Sequence, residues 1–185
     1  MSTLLPCFKA YDIRGRVPDV LNAPLAHALG RAVVEVLGAN SVVLGRDARL
    51  SGPLLRDALA GRLREAGASV TDIGLCGTEE IYYAAANHAA SQSANGPFDA
   101  GIMITGSHNP ADENGFKLVR GGAIPISGDS GLFGDAERAL GRPGQVSPHP
   151  EVAMPRGLGD HRARRIDARP GETPFINRPL QREAG

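Results

Sequence analysis

Ala100-Gly101-Ile102-Met103-Ile104-Thr105-Gly106-Ser107-His108-Asn109-Pro110 is the stretch that decides how this chain is read. Its first five residues are an apolar run bounded by turn formers, the pattern of a buried strand. The strand runs directly into Gly-Ser-His-Asn-Pro, which places a serine hydroxyl on a sharp turn at the sheet's edge. Loops held by a rigid sheet are where chemistry tends to sit. Asp112-Glu113-Asn114-Gly115-Phe116-Lys117 then brings acidic groups and one lysine back towards Ser107. That lysine stands out: Lys9 and Lys117 are the only two in the chain, against eighteen arginines.

Upstream of this stretch, helices and strands alternate. Leu25, Ala28, Leu29, Ala32, Val33, Val36 and Leu37 recur at helical spacing over 24–38, with Gly38 as a stop. Ser41–Gly45 reads as a short buried strand. Ser51 is placed to cap a second helix with Pro53 in its first turn. That helix carries Leu54, Leu55, Ala58, Leu59 and Leu63 and ends near Gly67. Ala68–Ile73 reads as the next strand. Thr78 is placed to cap a third helix through Ala86, with Glu79 and Glu80 near its positive end. Residues 87–98 read as an exposed loop, and a short strand is expected at 116–119. This alternation predicts an α/β layered domain.

Composition narrows the partners. The chain has 185 residues, enough for one domain or one domain plus a tail. Apolar residues make up 42% and aromatics 4%, so the core must rest mostly on Ala, Leu, Val and Ile. A net charge of zero gives no reason to expect nucleic acid or an anionic membrane as partner. No apolar run approaches the ~18 residues of a spanning helix. The first six residues do not read as a secretory signal. Two cysteines, Cys7 and Cys76, make no disulfide framework. Together these predict a cytoplasmic protein with free thiols; oligomeric state is left open.

The character changes near residue 140. Half of the fourteen prolines and eight arginines, but no lysine, fall in 141–185. Arg142-Pro143-Gly144 and Ser147-Pro148-His149-Pro150 break regular structure. The reading is therefore a globular body over 4–140 and an irregular Pro/Arg/Gly-rich tail over 141–185. The tail is expected to be disordered, or the out-of-frame product of a GC-rich gene, with a natural flexible tail as the alternative. Protease is expected to trim the chain to about residue 140.

A reactive serine on such a loop needs exposure, a nearby charge and a group to manage the proton. The loop offers backbone N–H groups, and Lys117 a point charge. Taken alone, Ser107 could merely hydrogen-bond a turn. His108 and Asn109 can orient the loop, and the role of His108 stays open. Arg46, Asp47 and Arg49 read as scaffolding, in which Asp47 could pair with either arginine and hold the serine loop. A serine hydrolase is not the expected reading, because Gly106-Ser107-His108 lacks a Gly-x-Ser-x-Gly elbow.

With its flanks the serine loop resembles the phosphoserine loop of the α-D-phosphohexomutases, the bacterial phosphomannomutase and phosphoglucomutase family. Phe8-Lys9-Ala10-Tyr11-Asp12-Ile13-Arg14-Gly15 resembles the family's N-terminal active-site segment. Leu44-Gly45-Arg46-Asp47-Ala48-Arg49-Leu50-Ser51-Gly52 and Asp72-Ile73-Gly74-Leu75-Cys76-Gly77-Thr78-Glu79-Glu80-Ile81-Tyr82-Tyr83 resemble the next two signatures. Ile124–Leu132 fits the subgroup of surface-polysaccharide phosphomannomutases. The likeness covers about 4–135, in order.

The resemblance implies the family's first domain, a single three-layer domain with a mixed sheet between helices. It implies a phosphohexose substrate, moved between its 1- and 6-phosphates through a phosphoserine at Ser107 and a hexose 1,6-bisphosphate. It also implies catalytic roles for Ser107, Lys117, Arg14 and His108. Tyr11, Arg14 and Lys117 would line the substrate cleft, with Lys117 near the family's proton-handling position. In the family a Mg²⁺ ion joins the phosphate oxygen on the serine to an Asp-Gly-Asp-Gly-Asp-Arg loop that this sequence lacks. Ser107, through its phosphate, would be the one metal ligand here. The expectation is one of about four family domains, without measurable turnover alone. An inactive remnant or phosphosugar-binding module is the alternative.

Overall fold

The computed structural model describes residues 6–87 and 98–140. The expectations for the tail, and for most of the loop at 87–98, fall outside these residues.

A six-stranded mixed sheet forms the middle layer. Its strands are β1 (Ile13–Arg16), β2 (Ser41–Arg46), β3 (Ser69–Leu75), β4 (Ala100–Ile104), β5 (Glu113–Arg120) and β6 (Ile124–Pro125). The order is β1-β5-β4-β2-β3, with β6 paired to β5. β2 runs parallel to both β3 and β4, whereas β5 is antiparallel to β4, β1 and β6. The helices are α1 (Ala23–Leu37), α2 (Gly52–Glu65), α3 (Thr78–Ala86) and α4 (Leu132–Leu140).

Period-2 alternation sorts the strands onto two faces. Val42, Leu44, Ile102, Ile104, Phe116 and Leu118 pack with buried side chains of α1, α2 and α4, among them Leu25, Leu29, Leu59 and Phe133. Val43 and Met103, one residue out of phase, pack with Ile81 of α3 and Phe98. This is the α/β/α arrangement expected, with the larger core on the α1/α2/α4 side.

Several element ends behave as the sequence reads. Asn22 caps α1, accepting from Leu25 N at 3.0 Å. Gly38 ends the helix in the left-handed region at φ 65°, which glycine adopts at no steric cost. Two caps differ. Ser51 occupies the cap position of α2 but makes no capping bond there; its Oγ instead accepts from Asn114 Nδ2 at 2.8 Å. Gly77, not Thr78, precedes α3, and Glu80 Oε2 reaches back to accept its N–H at 2.6 Å.

The strand expected at 116–119 begins earlier and spans eight residues. Pairing on both sides is the reason: Glu113 to Phe116 meet β1, and Phe116 to Arg120 meet β4. β1, β6 and α4 are additions that the sequence reading did not assign. α4 docks through Leu132, Phe133 and Ala136, with the Phe133 ring stacked on Phe8 at 5.3 Å between centroids.

This topology fixes where a site can form. From β2 the chain crosses through α2 to β3 on one side, then returns through α3 to β4 on the other. The carboxyl ends of β2 and β4 therefore lie side by side, with Arg46 paired to Ile104. Such a switch point opens a crevice between the loops that follow the two strands. Those loops are Asp47–Ser51 and Thr105–Asp112.

Candidate active site

The loop after β4 is held by the loop after β2. Asp47 N donates to Ile104 O at 2.9 Å. The Asp47 carboxylate accepts from Thr105 Oγ1 at 2.8 Å and Gly106 N at 3.1 Å. Thr105 Oγ1 in turn accepts from Ser107 N at 2.9 Å. Between Asp47 and Ser107 the chain of donors is unbroken.

Ser107 sits at φ +52°, in the left-handed region. For a non-glycine residue that conformation costs about 1–2 kcal/mol, and such positions persist only where their surroundings over-determine them. The residue is exposed. Its Oγ lies 3.4 Å from His108 Nδ1.

Of the two arginines that could pair with Asp47, Arg49 does so, with Nε 3.4 Å from Oδ2. Arg46 donates instead to the Asp47 main-chain oxygen at 3.3 Å. The remaining Arg49 nitrogens reach across to the serine loop. Nη2 donates to Ser107 O at 3.0 Å and Asn109 O at 2.7 Å; Nη1 donates to Glu113 O at 2.7 Å and to Pro110 O. A Cβ at Gly106 would lie 2.2 Å from Arg49 Cζ, so only glycine lets the guanidinium lie this close to the loop.

A second cluster links the N-terminal segment to the same loop. Asp12 Oδ2 accepts from Arg14 Nε at 2.7 Å and Lys117 Nζ at 3.2 Å. Arg14 Nη1 also donates to Asn109 Oδ1 at 2.8 Å, and Asn109 Nδ2 donates to Glu113 Oε2 at 2.6 Å. Register explains the meeting: Arg14 on β1 pairs with Gly115 on β5, two residues from Lys117. Gly115 is required there, because a Cβ would lie 2.5 Å from Ile13 O and 2.9 Å from Thr105 O. Burial pushes the Asp12 carboxyl up, but the hydrogen bonds and charges of Arg14 and Lys117 prevail and hold it below its ordinary value. Burial, with the Asp12 charge adding to it, raises the Tyr82 hydroxyl.

Of the residues singled out from the sequence, Arg14, Lys117, His108 and Ser107 thus lie on two connected clusters. Tyr11 belongs to the same segment, with 68% of its surface exposed and no hydrogen bond in the clusters described. Asp12 holds the second cluster together, and Asn109 links it to the first. Sequence reading gave Asn109 only a loop-orienting part and Asp12 none; a carboxylate two residues before Arg14 was the available signal.

A magnesium site does not follow from these residues. Among the described residues no group of three or more His, Cys, Asp or Glu side chains could hold a metal ion. A hard cation wants several oxygen ligands, and a phosphate on Ser107 would supply only the first.

A mixed α/β sheet thus carries a serine loop at its switch point, cross-braced by Asp47 and Arg49. Residues 6–131 match the family model for phosphoglucomutase/phosphomannomutase, alpha/beta/alpha domain I, and the chain belongs to that family. It is 54% identical over 129 residues to a phosphohexose mutase of Xanthomonas campestris pv. campestris (strain B100), covering 70% of this chain and 27% of that relative. It is 50% identical over 151 residues to a phosphomannomutase of Salmonella typhimurium (strain LT2), covering 82% and 31%. The crystal structure of a phosphoglucomutase/phosphomannomutase family protein from Burkholderia thailandensis superposes with a TM-score of 0.63 and 43% identity, over 72% of this chain and 29% of that one. The chain thus spans less than a third of the length of these relatives. Among the described residues no helix is long and apolar enough to cross a membrane.

Proposed function

We propose that Ser107 is a phosphoryl carrier and that this domain takes part in moving a phosphate between the 1- and 6-positions of a hexose. The observation that carries the reading is the exposed, left-handed Ser107, fixed by Asp47 and Thr105 on a loop that Arg14 holds through Asn109, with Lys117 sharing the Asp12 carboxylate with Arg14.

The chemistry balances as two transfers. A hydroxyl of the hexose monophosphate attacks the phosphorus of phosphoserine; its O–P bond forms, the P–Oγ bond breaks, and the hydroxyl proton passes to the serine side. The product is a hexose 1,6-bisphosphate. After the sugar turns over, its other phosphate passes to Oγ and leaves a hydroxyl behind. Such transfer depends on positioning and charge neutralisation. Lys117 donates to a carboxylate here, which suits an electrostatic role better than that of a base. His108 is the ring beside Oγ. Tyr11, exposed next to Asp12, would meet the sugar. The relatives' names make mannose phosphate the first substrate to test.

Net turnover by full-length relatives uses more chain than this one has in common with them, so the half-reaction at Ser107 is what these residues are proposed to perform. A second reading, a phosphosugar-binding module without transfer, is favoured by the lack of a cation cage among the described residues. The two separate in one experiment. Glucose 1,6-bisphosphate carrying radioactive phosphate is incubated with the protein and unlabelled mannose 1-phosphate, and label appearing in mannose 1,6-bisphosphate is followed. Label passing to the sugar in wild type but not in Ser107→Ala supports the carrier; saturable binding without transfer supports the module.

A further inference from the structure

We infer that Arg49 is a positioning residue for phosphoryl transfer: its guanidinium gathers three carbonyls of the serine loop and that of Glu113 at the start of β5, and so sets both the backbone and the electrostatics at Ser107. This rests on the reading of Ser107 as the phosphoryl carrier. Every guanidinium nitrogen is used. Nε faces the Asp47 carboxylate, Nη1 takes the carbonyls of Pro110 and Glu113, and Nη2 those of Ser107 and Asn109. The side chain itself is largely buried, at 14% exposure.

Two consequences follow. The first is geometric. Ser107 is pinned through its N–H by Thr105 Oγ1 and through its carbonyl by Arg49. A peptide fixed at both ends keeps the left-handed φ that would otherwise relax. The second is electrostatic. Carbonyl oxygens that converge on a cation do not face a phosphate, and a phosphoserine dianion is repelled by any carbonyl that turns towards it. Arg49 thereby clears partial negative charge from the place where phosphate must sit.

A lysine could not replace it. Its ammonium has three donors and no planar fork, whereas five donors in fixed geometry are needed here. Gly106 belongs to the same device, because any side chain there would displace the guanidinium.

The test uses the full 185-residue chain as wild type, Arg49→Ala, Arg49→Lys and Gly106→Ala. Phosphoryl uptake from glucose 1,6-bisphosphate is timed by intact mass, and amide hydrogen exchange is read over 105–114 and, separately, over β2 and β4. Arg49→Ala should slow uptake by about 100-fold, the effect of a small misplacement of a reacting group. Arg49→Lys should lose at least about tenfold although it keeps the charge, and methylguanidinium should restore part of the Arg49→Ala rate. Exchange should quicken over 105–114 and stay unchanged in β2 and β4.

Rates for Arg49→Ala and Arg49→Lys within about threefold of wild type would overturn the inference. So would exchange that quickens equally throughout the sheet, since that is plain loss of stability. Should Arg49→Ala fail to fold, Arg49→Lys and Gly106→Ala carry the same comparison. If wild type takes up no phosphoryl group, the carrier reading fails, and exchange decides the geometry: a loop equally protected with and without Arg49 overturns it.

Discussion

Lys117 Nζ lies 3.2 Å from Asp12 Oδ2, joining two residues 105 positions apart in sequence. The same oxygen accepts from Arg14 Nε at 2.7 Å. One carboxylate therefore holds two cations together and balances their charge. Removing it leaves two cations side by side, with Lys117 losing this bond and Arg14 keeping only its bond to Asn109.

Asp12 should make stability depend on pH. Its carboxyl is held below the ordinary value, because the bonds from Arg14 and Lys117 outweigh the opposing effect of burial. A group depressed in the folded state contributes stability that is present above its unfolded value, about pH 4, and lost as pH falls through the folded one. Urea unfolding of wild type and Asp12→Asn from pH 7 to pH 2 should show a constant gap above about pH 5 that closes at the acid end. The gap should be about 1–2 kcal/mol, since partial exposure screens the pair. A gap that widens on acidification would refute this account of Asp12.

Gly115 and Gly134 should respond to alanine with opposite signs. A Cβ at Gly115 meets main-chain oxygens of Ile13 and Thr105 at 2.5 and 2.9 Å, and backbone cannot step aside as a side chain can. Gly115→Ala should cost about 1–3 kcal/mol, as overpacking does. At Gly134 in α4 the new methyl would touch only the end of Arg138, at 3.5 Å. Gly134→Ala should stabilise by up to about 0.5–1 kcal/mol through helix propensity. Thermal denaturation of both variants decides it, and a stable Gly115→Ala would mean that β1 does not pair as described.

The two thiols should be quiet in the native state. Burial, with the charge of Glu80 adding to it, pushes Cys76 up to about 12. At pH 8 that leaves roughly one thiolate in ten thousand, and the thiolate is the reactive form. Burial raises Cys7 as well. A disulfide reagent at pH 8 should titrate neither thiol while the protein is folded and both after denaturant. Cys76 reacting at once would contradict the packing around Gly45, where its Sγ occupies the space of a missing Cβ.

The parts of this architecture that could be read from the sequence are those with a local cause. α1 announces itself by helical spacing and by Gly38, and β4 by an unbroken apolar run between turn residues. β1 could not be seen that way. Of Ile13-Arg14-Gly15-Arg16 only Ile13 is buried, and the segment is a strand because β5 pairs with it. Asn114 and Gly115 look like a turn yet lie buried inside β5 for the same reason. At the site, Ser107, Arg14 and Lys117 were legible as residue types in a motif. The choice of Arg49 over Arg46 as partner of Asp47 was not, because it depends on how two loops meet at the switch point.

Whether Ser107 carries the phosphoryl group is read from peptide mapping after incubation with a hexose 1,6-bisphosphate. The intact mass should gain one phosphoryl group, located on Ser107 and absent in Ser107→Ala. Label on another residue, or label that survives Ser107→Ala, would contradict it.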